Sequence, residues 1–208
     1  MSTVFIGGSR NVSRLSPQVQ ERITNVVQVG AQVIVGDANG ADKAVQKFLS
    51  ALEYRRVTVF CSGEECRNNV GGWETRHVDT PKKAKGFDFY ASKDRVMARE
   101  ADYGLMIWDG KSAGTILNIL RLLRAGRKAV LINSPEKTAT NFKTLTDWAN
   151  FFSGCTPDFR DDIRKRATAG EWLSFEPAQQ TSFLDPDEGT NIRNAGSDPR
   201  ASRPARQR

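Results

Sequence analysis

The chain is poor in cysteine and histidine and has no long apolar run, and each shortage closes off a class of function. No apolar stretch approaches the roughly 18 residues that a membrane span needs, so no membrane partner is expected. The start, MSTVFIGGSR, runs straight into a strand-like segment, with neither the basic lead nor the long apolar block of a signal peptide, and a cytoplasmic location is the expectation. Cys61, Cys66 and Cys155 are odd in number, and Cys61 with Cys66 is not a CxxC pair. They give neither a zinc pattern nor a disulfide framework, so reduced thiols, no metal and no cofactor are expected. The one histidine, His77, lies in a long polar segment and reads as an exposed bystander rather than a general base. The glycine spacings of GxGxxG and of the Lys-Ser/Thr phosphate loop are both missing, which disfavours a standard dinucleotide site and a nucleoside triphosphatase.

What is present is one domain's length of alternating strand and helix, 208 residues, enough to bury a sizeable core. The net charge of +7 is spread among acids, as in EYRR, KKAK and DDIRKR, and reads as solvated faces with a small-anion site. A nucleic-acid surface is possible on this charge but not favoured. Apolar, β-prone runs at TVFIGGS, QVIVGD, RVTVFCSG, YGLMIWD and KAVLIN predict five strands. Between them, Val19, Ile23, Val26 and Val27 share one helical face after the Ser16-Pro17 start signal, and Val45, Phe48, Leu49 and Leu52 share another. Further helices are predicted over about residues 88 to 101 and 113 to 125. Strands apolar on both faces predict an α/β, doubly wound, mostly parallel five-stranded Rossmann-like sheet, with helices on both faces and ligands at the carboxyl ends of the strands.

Residues 1–134 are read as that domain and residues 135–176 as a helical extension, with Phe142, Leu145, Trp148, Phe151 and Phe152 docking on the core. Residues 63–86 form a segment too long and polar for a plain connector. From residue 177 the chain nearly lacks apolar residues and is expected to be disordered.

Three of the strand-end loops, GGSRNVS, GDANGAD and DGKSAGT, carry glycine for close backbone approach, and each feeds a helix whose amino-terminal N–H groups and dipole favour an anion. In a doubly wound sheet these loops meet at one edge. The candidate ligand-binding residues are therefore Gly8, Ser9, Arg10, Gly36, Asp37, Gly40, Asp42, Lys93, Gly110, Lys111, Ser112, Gly114, Thr115 and Asn118. Asp37, Asp94 and Asp109 are the candidate catalytic carboxylates, although a strand-end turn or a helix ion pair accounts for each equally well. Trp73, Phe87, Phe89 and Tyr90 are aromatics that either stack on a base or enter the core.

Taken in order, FIGGSR, GDANGAD, KDRVMAREADYGLMIW and DGKSAGT resemble the SLOG superfamily, which includes the Lonely Guy phosphoribohydrolases, DNA processing protein A and the YspA-related proteins. The resemblance covers about residues 3–133 and implies a domain that binds a nucleotide or nucleotide-derived small molecule, with the turn at Gly114 and Thr115 receiving phosphate and Met97 matching the methionine of the preceding helix. In the phosphoribohydrolases a glutamate follows the threonine by three residues and an arginine precedes the methionine by four; here those positions hold Asn118 and Lys93. An amide supplies neither the charge nor the proton acceptor that N-glycosidic cleavage needs. Ligand binding or sensing is the expectation, with an N-glycosidic hydrolase using a displaced carboxylate, or a single-stranded DNA binder, as the alternatives. Homo-oligomerisation is left open.

Overall fold

A computed structural model of the chain describes residues 1–81 and 84–173. The tail beyond residue 177, for which disorder was expected, lies outside the described residues. The strands are β1 (Thr3–Gly8), β2 (Gln32–Gly36), β3 (Val57–Ser62), β4 (Glu74–Val78), β5 (Tyr103–Trp108), β6 (Lys128–Asn133) and β7 (Thr138–Phe142). The helices are α1 (Pro17–Gln28), α2 (Ala41–Ala51), α3 (Phe87–Glu100), α4 (Ala113–Arg124), α5 (Leu145–Ser153), α6 (Pro157–Arg166) and α7 (Ala169–Leu173).

One open sheet of order β4-β3-β2-β1-β5-β6-β7 runs through the domain, parallel except for the antiparallel β6–β7 pair. Side chains alternate cleanly across it. Val4, Ile6, Val33, Val35, Val57 and Val59 pack with Val19, Ile23, Val45 and Leu49 of α1 and α2. Phe5, Ile34, Phe60 and Met106 point the other way, onto Met97 of α3 and Ile116, Leu117 and Leu120 of α4. This two-sided burial is what a parallel sheet requires. Trp148 and Phe152 of α5 and Ile163 of α6 join the second cluster, so the C-terminal helices dock on α4.

The sheet has seven strands where the apolar runs predict five. Both additions are edge strands: β4 reads ETRHV and β7 reads TATNF, with only Phe142 buried between them. An edge strand covered on little of its surface carries no apolar signature, and charges on it discourage edge-to-edge association.

The expectation of reduced thiols is also overturned for two of the three cysteines. Cys61 and Cys66 form a disulfide with Cα atoms 5.2 Å apart, and Cys155 is free. The chain turns back after β3 at Gly63, whose φ of +77° suits glycine, and so returns Cys66 to the end of the strand. Sequence spacing alone does not report such a turn. Among the described residues, no helix is long and apolar enough to cross a membrane.

The strand order reverses between β1 and β5: the chain builds outward through β2, β3 and β4, then returns to the other side of β1. In open α/β sheets a crevice forms above the carboxyl ends of the strands at such a switch point.

Candidate functional site

At that switch point lies a cleft of about 530 Å³. Of the candidate residues, Gly8, Ser9, Arg10, Asp42, Lys93, Asp94, Lys111, Ser112, Gly114, Thr115 and Asn118 line it. Gly36, Asp37, Gly40, Asp109 and Gly110 do not: the first four act from outside it, and Gly110, with a φ of +79°, makes the turn after β5.

Asp109 organises the turn between β5 and α4. Its Oδ1 accepts from the backbone N–H groups of Lys111 (3.0 Å) and Ser112 (2.8 Å), and its Oδ2 from the Asn11 side chain (2.7 Å) and the Ser112 hydroxyl (3.0 Å). Partial burial pushes this carboxyl's pKa up, but the donated hydrogen bonds outweigh it and hold the group ionised well below the usual carboxylate range. Ser9 and Ser112 share a 2.8 Å hydroxyl contact, which ties the first loop to the third. Because the Ser112 side chain is spent on Asp109 and Ser9, it does not cap α4. The amino-terminal turn of that helix, Ala113 to Thr115, faces the cleft without a side-chain cap; the Thr115 N–H donates to the Ser112 carbonyl at 3.2 Å, which leaves the Ala113 and Gly114 N–H groups and the positive dipole turned to the cleft.

The floor is built from Asp42, Lys93 and Asp94. Lys93 Nζ donates to Asp94 Oδ1 at 2.6 Å and stands 3.7 Å from Asp42 Oδ2. Gly36 makes that approach possible, since a Cβ there would lie 2.3 Å from Asp42 Oδ2 and 2.4 Å from Lys93 Nζ. Asp42 Oδ2 also accepts from the Ala38 N–H at 3.2 Å, whereas Oδ1 accepts no hydrogen bond among the described residues. Burial raises the Asp42 pKa to about 6, only partly offset by Lys93. Burial works the same way on Asp94, yet there the Lys93 and Arg121 charges and the Asn118 amide prevail and hold it low. For Lys93, burial favours the neutral amine, but Asp94 and Asp42 reverse the sign and keep it an ammonium. The floor thus holds one firmly ionised carboxylate, one cation and one carboxyl whose pKa is raised to about 6.

Behind the floor a polar chain runs away from the cleft. Asn118 Nδ2 donates to Asp94 Oδ2 (3.2 Å), Arg121 donates to Asn118 Oδ1 (2.6 Å) and to Glu171 Oε1 (2.6 Å), and Arg95 also donates to Glu171 (3.1 Å). Helix α7, too short to be held by its own backbone, is anchored by this carboxylate.

The rim differs. Arg10 and Lys111 are exposed and have no carboxylate partner among the described residues; the Arg10 guanidinium instead lies 4.8 Å from the centre of the Tyr90 ring. Gly40 supports that loop from below, with a φ of +83° and an absent Cβ that would meet the Arg10 backbone oxygen at 2.2 Å. Of the four aromatics, Phe87 and Tyr90 line the cleft, Phe89 packs beside Gly63, and Trp73 is buried with its indole N–H on the Tyr54 carbonyl. His77 is exposed on the β4 edge, its Nδ1 2.9 Å from the Gly63 carbonyl oxygen.

Asp37 faces away from the cleft. It takes a two-pronged guanidinium contact from Arg67, with Nε at 2.9 Å, and a hydrogen bond from the Arg67 backbone N–H at 3.1 Å. Burial raises its pKa, but the Arg67 hydrogen bonds win and lower it. Sequence reasoning missed Arg67 as well as Asp162 and Arg166 of α6, which pair at 2.7 Å and complete the cleft wall, with Arg166 stacked over Phe87. No local signal marks them, because α6 reaches the site only through tertiary docking. The described His, Cys, Asp and Glu side chains include one cluster tight enough for a metal, Asp37, Cys61 and Cys66. There the two sulfurs are joined to each other and the carboxylate is held by Arg67.

No protein-family model matches this chain, and no curated protein matches it either.

Proposed function

We propose that the cleft binds a nucleotide or nucleotide-derived small molecule, with its phosphate at the α4 amino terminus and its sugar over the Asp42–Lys93–Asp94 floor. The observation that carries this reading is that an uncapped helix terminus and a carboxylate–ammonium–carboxylate floor open into the same cleft. These are chemically opposite surfaces, and a phosphorylated sugar is a ligand with an end suited to each. The terminus, Arg10 and Lys111 attract a phosphate dianion. The free Asp42 Oδ1 and the Asp94 carboxylate accept from hydroxyls, which phosphate does not carry. Phe87 and Tyr90 supply ring faces for a base. A SLOG-type domain in a cytoplasmic protein is the family reading that goes with this site, supported by the resemblance of residues 3–133.

Mass spectrometry of small molecules released from the purified protein, followed by calorimetry with a panel of nucleoside monophosphates, tests the reading. Micromolar binding that is lost when Thr115 is replaced by leucine is expected. No binding across the panel, or an affinity unchanged in Thr115→Leu, would overturn it. Single-stranded oligonucleotides in the same panel decide the DNA alternative, since an internal phosphodiester carries one charge against the two of a terminal phosphate.

One observation favours a second reading. Asn118 stands where the resemblance implies a glutamate, and its amide holds the Asp94 carboxylate at 3.2 Å, so a fixed negative charge lies beside that position after all. Chromatography for free base released from nucleoside monophosphates separates the two readings. Release by the wild type that disappears in Asp94→Asn makes the protein an N-glycosidic hydrolase; no release leaves binding alone.

A further inference from the structure

The Cys61–Cys66 bridge lies outside the cleft, but the segment it secures does not act alone. Cys61 is fully buried at the end of β3, whereas Cys66 is half-buried in the loop that follows. The next two residues grip the second cleft loop. Arg67 makes three hydrogen bonds to Asp37, and Asn68 donates to the Asp37 carbonyl (2.7 Å) and to Asn39 Oδ1 (3.1 Å). Gln46 of α2 continues the attachment, donating to the Asn68 carbonyl at 3.2 Å and accepting from the Val70 N–H at 2.9 Å. The Arg67 guanidinium also lies 4.4 Å from the centre of the Tyr90 ring, and Tyr90 lines the cleft beside Arg10. Every link from the disulfide to the ligand-facing wall is therefore a direct contact.

We infer that the Cys61–Cys66 disulfide is a redox latch on this wall: a dithiol reductant opens it, releases Arg67 from Asp37 and Tyr90, and weakens ligand binding in the cleft. The inference rests on the nucleotide-site reading for its effect on ligand but not for the latch itself. Chemically, a thiolate of the dithiol attacks the accessible Cys66 sulfur; the Cys61–Cys66 bond breaks, and its electron pair goes to the Cys61 sulfur, which takes up a proton. The second thiol of the reductant then displaces Cys66, which is protonated in turn. Two electrons and two protons have moved, the protein holds two thiols, and the reductant is left as a disulfide. The Cys61 sulfur lies within 4.8 Å of the Asp37 carboxylate that Arg67 grips, so the bridge and the clamp are neighbours. Two thiols need more room than one bond, and Cys66, on the loop, is the partner free to move.

The full chain, oxidised or treated with dithiothreitol, is compared by thiol titration, by hydrogen exchange and by calorimetry with adenosine 5′-monophosphate as probe. Thiol titration should count one cysteine when oxidised, Cys155, and all three when reduced. Reduction is expected to raise exchange at the Arg67 and Val70 amides by tenfold or more and to weaken probe affinity at least fivefold. Cys66→Ser should match the reduced form and ignore dithiothreitol, and Arg67→Ala should bind the probe like the reduced wild type even with the disulfide intact. Equal exchange at Arg67 and Val70 in both redox states, or three titratable thiols under oxidising conditions, overturns the latch. If exchange responds but neither form binds any nucleotide of the panel, the latch stands and the nucleotide reading fails. If nucleotide binds equally to both forms while exchange differs, the coupling to the cleft is overturned.

Discussion

The floor and the rim of the cleft handle charge in opposite ways. On the floor, Lys93 is almost fully buried and answered on both sides, by Asp94 at 2.6 Å and Asp42 at 3.7 Å. On the rim, Arg10 and Lys111 are exposed and answered by no carboxylate among the described residues. The floor is therefore a finished structure whose charges hold one another in place. The rim is unfinished: its cations are exposed, and on the proposed reading they are what an anion would meet. Burial makes the first arrangement costly to break, and solvation makes the second cheap to alter. Mutations should then separate stability from binding along this line.

The largest effect should come from breaking the floor. Lys93→Met leaves a buried Asp42 and a partly buried Asp94 facing each other without their cation, and removing one partner of such a group typically costs about 3 to 5 kcal/mol. Urea denaturation should show that loss, or a chain that no longer folds. On the rim the expectation is the reverse. Arg10→Ala and Lys111→Ala should leave the unfolding midpoint nearly unchanged, within about 0.5 kcal/mol. Each should weaken nucleotide binding by roughly ten- to a hundredfold, the loss of a charge-assisted contact worth about 1.5 to 3 kcal/mol. A rim variant that unfolds the protein, or a floor variant that changes affinity alone, would erase the distinction.

A smaller effect tests how far the floor extends. Glu171 accepts from both Arg121 and Arg95, and although burial opposes it, those partners lower its pKa from 4.5 to about 2. A depressed carboxylate stabilises the folded state above its unfolded pKa and loses that contribution as pH falls through the folded value. Glu171→Gln should accordingly cost about 1 to 3 kcal/mol at neutral pH, with the gap to wild type closing between pH 4.5 and 2. An effect of similar size belongs to Asp42, whose shift has the opposite sign. Raised from 3.8 to about 6, it binds its proton in the folded state where the unfolded chain has released it. Its contribution to stability falls as pH rises across that window and is flat above it. Urea midpoints of Asp42→Asn and wild type, measured at steps from pH 4 to 7, should diverge in favour of the variant as pH rises.

How much of this was readable beforehand depended on whether the cause was local. The apolar runs of β1, β2, β3, β5 and β6 announced themselves because both faces of a central parallel strand are buried, and the ends of α3 and α4 fell within a residue or so of expectation. The edge strands β4 and β7 gave no such signal, since solvent covers most of their side chains. At the site, glycine-bearing strand ends pointed to the right sheet edge, yet they could not distinguish residues that line the cleft from those that support it. Gly36 and Asp109 both sit in the right loops and act from underneath. Deciding that Asp42, rather than Asp37, faces inward requires the helical start at Ala41 and the Arg67 clamp, and Arg67 comes from a loop about 30 residues away. The disulfide, Arg166 and Glu171 depend likewise on where distant segments dock, which no spacing rule encodes.

The Asp109 turn has a kinetic corollary. Four donors already fix this carboxylate, and through it the Lys111–Ser112 backbone, before anything enters the cleft. On the proposed reading an incoming anion would meet the Ala113 and Gly114 amides that follow this turn already in their final orientation, with no loop left to close. Little ordering entropy remains to be lost at that turn. If the proposed binding holds, arrival would be set by diffusion and by attraction to the rim cations, and related ligands should differ in how long they stay rather than in how fast they come.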